Sequence, residues 1–312
     1  MTAFAMTFPG QGSQSVGMLA DLASSFATVK STFEEASDVL GLDLWAMSQQ
    51  GPAEELNRTQ NTQPAMLSAG ISVWRVWNEQ GGPAPLVMAG HSLGEYSAMV
   101  AAGVISFADA VRLVAERGRL MQSAVPQGEG AMAAILGLDD DKVREICDQA
   151  QQGEVAAAVN FNSPGQVVIA GNAAAIARAI DLAKQAGAKR ALPLDVSVPS
   201  HCALMQGAAD QLAIVMQGMT FNAPAVPVVQ NVNVASSDDT EQIRQLLKEQ
   251  LYSPVRWVES VREMAGRGAQ TIIEAGPGKV LTGLCRRIDK NLSALAVFDG
   301  ASLEKALEAA NV

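Results

Sequence analysis

Short apolar runs alternate along this chain with longer segments whose apolar positions recur at helical spacing. The apolar runs lie at residues 4–8, 86–90, 226–229 and 271–273, with Pro, Gly or Asn close to their ends. Such runs are typical of strands buried on both faces, and strands that alternate with helices predict a parallel sheet covered by helices. Active sites in these sheets lie at the carboxyl ends of the strands.

A different pattern fills residues 131–198. It predicts a strand at 131–138, a helix at 140–151, two strands around a turn at 162–165, a helix at 173–186 and a strand at 190–198. This β-α-β-β-α-β order is that of a ferredoxin-like unit. We therefore predict an α/β protein whose large domain, residues 1–125 and 205–312, carries a small ferredoxin-like domain inserted at residues 126–204.

The composition indicates a globular protein that does not bind nucleic acid. Of the 312 residues, 48% are hydrophobic and only 17% are charged, which favours a folded core over disorder. The formal net charge of -10 opposes sequence-independent binding to a polyanion. The length exceeds what one hydrophobic core usually organises, in agreement with two domains.

Neither a disulfide framework nor a membrane span is expected. Cys147, Cys202 and Cys285 lie far apart with no Cys-x-x-Cys pair, so no thiolate zinc site is indicated and a reducing compartment fits best. The first residues lack the basic start and apolar stretch of a signal peptide, and no run reaches the roughly 18 apolar residues of a membrane span. We expect a cytoplasmic protein.

Residues 90–94 carry the strongest local signal for chemistry. Their sequence, Gly-His-Ser-Leu-Gly, places Gly-x-Ser-x-Gly between a predicted strand and a predicted helix. A serine there lies on a sharp turn that needs small neighbours, here Gly90 and Gly94. The helix N-terminus favours an oxyanion, for which the N–H of Leu93 is best placed. The pattern predicts Ser92 as a nucleophile; the alternative is a serine that only caps the helix.

A serine nucleophile needs a base within hydrogen-bond reach, and the chain has only two histidines. His91 adjoins Ser92, and a neighbouring side chain usually points away from the nucleophile. His201, where the chain leaves the small domain, is therefore the candidate base, although a lone histidine is often only structural. A third group should orient its imidazole, either Asp195 or a backbone carbonyl.

Arg117 is the candidate substrate-binding residue. In the helix predicted at 106–125 it falls on the apolar face, whereas Arg112, Glu116 and Arg119 fall on the opposite face. A guanidinium turned toward the core must find an anion, because an unpaired buried charge costs several kcal/mol. The partner is either a protein carboxylate or the carboxylate of a substrate, which the two-pronged guanidinium can grip.

Two glycine-rich segments imitate nucleotide-binding loops. Residues 8–14 do not fit Gly-x-Gly-x-x-Gly, because Ser15 occupies the final glycine position, and residues 275–280 lack the Ser or Thr of a phosphate loop. Both are better interpreted as turns at strand ends. The first turn can present the N–H of Gln11 as a second donor to an oxyanion.

Taken together, these motifs resemble those of the malonyl-CoA:acyl carrier protein transacylases. The matching segments are residues 8–14 (Phe-Pro-Gly-Gln-Gly-Ser-Gln), 90–96 (Gly-His-Ser-Leu-Gly-Glu-Tyr), Arg117, 160–166 (Asn-Phe-Asn-Ser-Pro-Gly-Gln), 199–201 (Pro-Ser-His) and 250–252 (Gln-Leu-Tyr). They occur in the family's order and spacing over nearly the whole chain. The resemblance implies an α/β-hydrolase-like large domain with an inserted ferredoxin-like domain, and a role in type II fatty acid synthesis.

The resemblance also implies the catalytic roles. Ser92 would be the acylated nucleophile and His201 its base. The family orients this histidine through the main-chain carbonyl at the position of Gln250, so that a Ser-His dyad replaces a triad and Asp195 has no catalytic part.

Roles in substrate binding follow from the same resemblance. Arg117 would bind the malonyl carboxylate, the N–H groups of Gln11 and Leu93 would form the oxyanion hole, and Asn162 would help to line the acyl pocket. The malonyl group would pass from malonyl-CoA to Ser92 and then to the phosphopantetheine thiol of acyl carrier protein. No metal and no redox cofactor is expected, and we expect a monomer.

Docking of the acidic carrier protein should need a local basic patch on this acidic chain. The candidates, which could instead contact CoA phosphates, are Lys189, Arg190, Lys279, Arg286 and Arg287. Two other functions share parts of the pattern: a serine hydrolase of the α/β type, and a catalytically silent acyl-binding subunit. Arg117 argues against the hydrolase, and retention of both Ser92 and His201 argues against the silent subunit.

Overall fold

The computed structural model describes residues 3–194 and 198–311. The strands in this part are β1 (Phe4–Phe8), β2 (Val87–Gly90), β3 (Gly130–Leu136), β4 (Ala156–Ser163), β5 (Gln166–Asn172), β6 (Arg190–Pro193), β7 (Val228–Val229), β8 (Thr271–Ala275) and β9 (Ser293–Val297). Asp195 and the two residues after it, which belong to the strand predicted at 190–198, lie outside the described residues.

Among the described residues, five helices precede β2: α1 (Ala20–Ser25), α2 (Ala27–Leu40), α3 (Leu44–Gln50), α4 (Ala53–Leu56) and α5 (Thr59–Glu79). The next four are α6 (Gly94–Ala101), α7 (Phe107–Ser123), α8 (Asp140–Gln151) and α9 (Ala173–Gln185). The helices of the second half are α10 (Gln206–Gln217), α11 (Thr240–Glu249), α12 (Trp257–Gly266), α13 (Val280–Ile288) and α14 (Gly300–Asn311). Within 3–194 and 198–311, no helix is both long enough and apolar enough to cross a membrane.

The large sheet is parallel, with the strand order β7-β2-β1-β8-β9. Its first four strands confirm the four apolar runs. The fifth, β9, was not predicted, because it lies at the edge of the sheet and only two of its five residues are buried. In the parallel register Phe8 pairs with Gly90, so β1 and β2 end side by side at one edge.

Alternate residues of the central strands face two different cores, as the period of two in a strand requires. Met6 and Phe8 pack with helices that include α2, α5 and α7. Ala5, the residue before Met6, packs with Val87 and Trp257 in a second cluster on the other face. Helices on both faces explain why whole strands are apolar rather than alternating.

The small sheet is antiparallel, with the order β4-β5-β3-β6. Helices α8 and α9 cover it and share a separate apolar core that includes Ile135, Ile146, Phe161 and Ile176. This is the predicted ferredoxin-like arrangement, and α8 spans the predicted residues. The boundaries at 126 and 204 remain a prediction.

The two sheets are connected through β4. The Phe161 N–H donates to the Val255 carbonyl at 3.0 Å, and the Val255 N–H donates to the Val159 carbonyl at 2.8 Å. Nearby, the His201 N–H donates to the Leu251 carbonyl at 2.9 Å. These bonds hold the chain leaving the small sheet against the segment that follows α11, which brings His201 to the edge where β1 and β2 end.

Candidate active site

Ser92 lies on the turn between β2 and α6, which we call the nucleophile turn (residues 90–94). Its φ is +52°, in the left-handed region that few non-glycine residues adopt. A Cβ at Gly90 would lie 1.9 Å from the carbonyl carbon of Gly94, and a Cβ at Gly94 would lie 2.0 Å from the Phe8 oxygen. Both glycines are therefore required, as the sequence predicted.

The side chain of Asn231 holds the nucleophile turn. Its Oδ1 accepts from the Ser92 N–H at 2.8 Å, and its Nδ2 donates to the Gly90 carbonyl at 2.7 Å. Asn231 is buried and comes two residues after β7, at the same edge of the sheet. No local motif points to it, so the sequence pattern missed it. Its position after a strand end was the available signal.

His201 meets Ser92 as predicted, with its Nε2 2.7 Å from the Ser92 Oγ. Its Nδ1 lies 2.7 Å from the main-chain carbonyl of Gln250, which can only accept a hydrogen bond. The Nδ1 therefore carries the proton, and the lone pair of Nε2 faces the serine hydroxyl. The resemblance implied this carbonyl as the orienting group.

The buried environment keeps His201 neutral. Burial and, second to it, the positive charge of Arg117 lower the pKa of His201 to about 3. A neutral imidazole with a free Nε2 lone pair can accept a proton from a hydroxyl. The pair thus has the tautomer and the charge state of a nucleophile with its base.

The side chain of Arg117 extends from α7 toward Ser92. This side chain is 1% exposed, and its Nη2 lies 3.4 Å from the Ser92 Oγ. Its Nη1 donates to the Gln63 Oε1 at 2.9 Å, and its Nη2 donates to the Gln250 Oε1 at 3.0 Å. Of the two partners expected for Arg117, a protein carboxylate is not in contact with it among the described residues.

The other charges of α7 behave as its periodicity predicted. Arg112 and Arg119 point outward and form ion pairs with Asp109 and Glu116 on the same helix. The hydroxyl of Ser106 caps the helix by accepting from the Asp109 N–H. Arg117 is therefore set apart from them by burial and by its neutral amide partners.

A buried glutamate, Glu95, lies behind these groups. It is 0% exposed, and its Oε2 accepts from the Gln250 Nε2 at 2.8 Å. Burial raises the pKa of Glu95 to about 7, although the hydrogen bonds that its carboxylate accepts act in the opposite direction. Sequence patterns did not identify Glu95, Gln63 or the side chain of Gln250 as parts of the site.

The expected oxyanion donors lie around the nucleophile turn. The Leu93 N–H precedes the first turn of α6, where N–H groups have no partner within the helix. The turn at 8–14 contacts the nucleophile turn directly, because a Cβ at Gly10 would lie 2.5 Å from the His91 carbonyl oxygen. Within the described residues, the N–H groups of Gln11 and Leu93 have no hydrogen-bond partner.

The side chains of His91 and Asn162 form a hydrogen bond with each other. The His91 Nε2 lies 2.8 Å from the Asn162 Oδ1, and the imidazole packs edge-on against Trp257. Burial lowers the pKa of His91. The side chain of His91 therefore belongs to a different contact from the one between Ser92 and His201, as expected of the residue next to a nucleophile.

The segment at 275–280 is not a phosphate loop. The N–H groups of Leu281 and Thr282, at the start of α13, donate to the buried carboxylate of Glu274. A phosphate would need these donors, and the protein's own carboxylate occupies them. In the described residues, no group of three or more His, Cys, Asp or Glu side chains is placed to hold a metal ion.

Three of the candidate basic residues line cavities at the surface. Lys189 and Arg287 line one cavity of about 450 Å³ beside the turn between β4 and β5. Arg286 lines another cavity together with Lys290 and Lys305. Of the candidates, only Lys189 and Arg287 line the same one of these two cavities.

Comparison with known proteins agrees with this geometry. The family model of the acyl transferase domain matches residues 6–298. The malonyl CoA-acyl carrier protein transacylase of Escherichia coli K12 is 60% identical over 308 residues, which cover 99% of this chain and 100% of that protein. The protein of the same description from Bacillus subtilis is 45% identical over 309 residues, covering 99% and 97%.

Solved structures show the same fold. The acyl carrier protein S-malonyltransferase of Vibrio cholerae has a TM-score of 0.96 at 59% identity, covering 98% of this chain and 100% of that chain. A malonyl-transacylase in complex with a type II PKS acyl-carrier protein has a TM-score of 0.98 at 60% identity, covering 99% and 100%. The chain belongs to the acyl transferase domain family and, within it, to the malonyl CoA-acyl carrier protein transacylases.

Proposed function

We propose that this protein transfers a malonyl group from malonyl-CoA to the phosphopantetheine thiol of acyl carrier protein, through an ester on Ser92. One observation carries the proposal: the Ser92 Oγ lies 2.7 Å from the His201 Nε2 and 3.4 Å from the Arg117 Nη2. A nucleophile, a neutral base and a carboxylate-binding cation thus meet at one point. This function belongs to type II fatty acid synthesis.

In the first half-reaction, the Nε2 of His201 takes the proton of the Ser92 hydroxyl while Oγ attacks the thioester carbonyl. The carbonyl oxygen becomes an oxyanion, which the N–H groups of Gln11 and Leu93 would stabilise. The C–S bond then breaks, the CoA sulfur takes the proton from His201, and a malonyl ester remains on Ser92.

The second half-reaction reverses these steps with another thiol. The phosphopantetheine thiol gives its proton to His201 and attacks the ester carbonyl. The C–O bond breaks, Ser92 recovers its proton from His201, and the malonyl group leaves as a thioester of the carrier. One thioester is exchanged for another, so this route needs neither a metal nor a redox cofactor.

Arg117 gives the proposed preference for malonyl. A carboxylate at the end of a short acyl chain on the Ser92 Oγ is within reach of a guanidinium nitrogen 3.4 Å from that oxygen. The amide oxygens of Gln63 and Gln250 orient the guanidinium but do not neutralise its charge. We also propose that Asn162, which bonds His91 beside the nucleophile turn, lines the acyl pocket.

Hydrolysis is not favoured as the alternative. A general esterase has no need of a buried cation at its acyl pocket, and Arg117 is buried there with no carboxylate in contact in the described part of the chain. A hydrolase would also pass the acyl group to water instead of a thiol.

For the carrier protein we propose docking near Lys189 and Arg287, because these two candidate cations line the same cavity. Every group in the proposed mechanism comes from one chain, which supports a monomer as the active unit. The cysteines Cys147, Cys202 and Cys285 are free and buried, which suits the reducing cytoplasm that we propose as the location.

A direct test is to incubate the protein with malonyl-CoA and a phosphopantetheinylated carrier protein, and to weigh both proteins by intact mass spectrometry. We expect the carrier to gain the mass of one malonyl group. Release of free malonate, with a carrier of unchanged mass, would instead identify a hydrolase.

A further inference from the structure

Glu95 is a buried charged residue to which the proposed mechanism gives no role. Glu95 lies on the first turn of α6, three residues after Ser92, and is 0% exposed. Its carboxylate accepts from the Gln250 Nε2 at 2.8 Å, the Asn231 N–H at 3.0 Å and the Gln230 Nε2 at 3.4 Å. Each of these partners is a donor, which matches a carboxylate oxygen.

The orientation of the Gln250 amide follows from its hydrogen-bond partners. The two N–H groups of the Gln250 Nε2 are used by the Glu95 Oε2 at 2.8 Å and by the Ser92 carbonyl at 3.1 Å. Its Oε1 therefore faces the Arg117 Nη2 at 3.0 Å. If the amide were turned over, its oxygen would face two acceptors and its NH₂ would face the guanidinium donors, so three hydrogen bonds would be lost.

The Gln250 residue that is oriented in this way contacts both Arg117 and His201. The Nη2 that Gln250 holds is the nitrogen 3.4 Å from the Ser92 Oγ. The main-chain carbonyl of the same residue accepts from the His201 Nδ1. Glu95 itself touches neither the nucleophile hydroxyl nor the base, so any effect it has on the reaction passes through other residues.

A second connection runs through Asn231. Its N–H is held by Glu95, and its side chain accepts from the Ser92 N–H and donates to the Gly90 carbonyl. Glu95 therefore holds the partner of Arg117 and the partner of the nucleophile turn with the same Oε2 atom. A carboxylate that moved by one bond length would release both.

We propose that Glu95 is a positioning residue that fixes the orientation of the Gln250 amide, and thereby holds Arg117 toward the carboxylate of the acyl group. This inference rests on the function proposed above. The reach of Glu95 as a hydrogen-bond acceptor is what matters, because the guanidinium contacts the neutral amide oxygens of Gln63 and Gln250 and not the carboxylate of Glu95.

Two variants distinguish the effect of the length of the Glu95 side chain from the effect of its charge. Glu95→Asp keeps the charge and withdraws the carboxylate by one methylene. Glu95→Gln keeps the reach and removes the charge; its new NH₂ can face the Gln230 Oε1, a buried atom with no partner in the described residues, once that amide turns. The readout is kcat/KM for malonyl-CoA divided by kcat/KM for acetyl-CoA.

We expect Glu95→Asp to lower this ratio about 10-fold, because malonyl has a carboxylate that Arg117 can bind and acetyl has none. Glu95→Gln should keep the ratio within about threefold of wild type. Gln250→Ala should lower it as much as Glu95→Asp, and adding Glu95→Asp to Gln250→Ala should lower it no further, because the two residues act in series.

Glu274→Asp is the matched control. Glu274 is another fully buried glutamate, and its carboxylate accepts from the N–H groups of Leu281 and Thr282 at the start of α13. Its hydrogen bonds involve no residue of the site. We expect Glu274→Asp to lower the melting temperature while the malonyl-to-acetyl ratio stays that of wild type.

A wild-type ratio in Glu95→Asp would overturn the inference, and so would an equal loss in Glu95→Gln, which would assign the effect to charge. Should Glu95→Asp not fold, a wild-type ratio in Gln250→Ala overturns it equally. The wild-type protein distinguishes the two proposals: if it does not pass malonyl to the carrier, the proposed function fails, whereas an active wild type with unresponsive variants refutes only the role of Glu95.

Discussion

The Nε2 of His201 lies 2.7 Å from the Oγ of Ser92, although 109 positions separate the two residues along the chain. Because the Nδ1 proton is held by the Gln250 carbonyl, only the Nε2 can serve as the base. We expect His201→Ala to slow formation of the malonyl ester by about 10²- to 10⁴-fold, measured by quenched-flow mass spectrometry. His91→Ala is the control: its imidazole bonds Asn162, so a far smaller effect is expected, and equal losses would contradict the assignment.

The low pKa of His201 predicts an unusual dependence of ester formation on pH. An ordinary histidine would gain a proton and stop acting as a base as the pH falls through 6.5, whereas burial places the pKa of His201 at about 3. The rate of ester formation on Ser92 should therefore stay nearly constant between about pH 5 and about pH 8.

Glu95→Gln serves as the control for this pH profile, because burial places the pKa of Glu95 at about 7. A decline centred near pH 6.5 in both proteins would mean that His201 has an ordinary pKa. A decline near pH 7 in the wild type alone would mean that the reaction needs the charge of Glu95, contrary to the proposal that only its reach as a hydrogen-bond acceptor matters.

Arg117 should discriminate between acyl groups without being needed for ester chemistry. Arg117→Ala is expected to lower kcat/KM for malonyl-CoA by about 10²-fold, because a charge-assisted bidentate contact is lost, and to spare acetyl-CoA. Arg112→Ala, on the exposed face of the same helix, should leave both values near wild type. Equal losses for malonyl and acetyl in Arg117→Ala would make Arg117 a structural residue.

Gly94 should tolerate no side chain. Gly94→Ala places a Cβ 2.0 Å from the Phe8 carbonyl oxygen, so we expect a loss of more than about 3 kcal/mol in the free energy of unfolding, measured in urea. The matched variant is Gly283→Ala in α13, where no atom lies within 4 Å of the new Cβ and a gain of up to about 1 kcal/mol is expected. Similar stabilities for the two variants would refute the close approach at the nucleophile turn.

The parts of the site that sequence could predict had local or compositional signals. Ser92 lies in a Gly-x-Ser-x-Gly turn, His201 is one of only two histidines, and the helical period placed Arg117 on the buried face of α7. Each of these signals depends on a few neighbouring residues or on how rare histidine is in the chain, and none of them needs knowledge of the tertiary structure.

The polar residues behind the site had no such signal. Glu95 faces the Gln250 amide across 155 positions, and Asn231 faces Ser92 across 139, so their roles depend on how the completed fold brings strand ends and helices together. The strands likewise divide into those that the sequence predicted and one that it did not. Fully buried β1 was predicted residue by residue, whereas the partly exposed edge strand β9 was missed.

The most direct test of the central claim is the mass of the protein after brief mixing with malonyl-CoA, in wild type and in Ser92→Ala. We predict that the wild type gains one malonyl group, that peptide mapping places it on Ser92, and that a phosphopantetheinylated carrier removes it. Ser92→Ala should gain none. A malonyl adduct on any other residue, or undiminished transfer to the carrier by Ser92→Ala, would contradict the account.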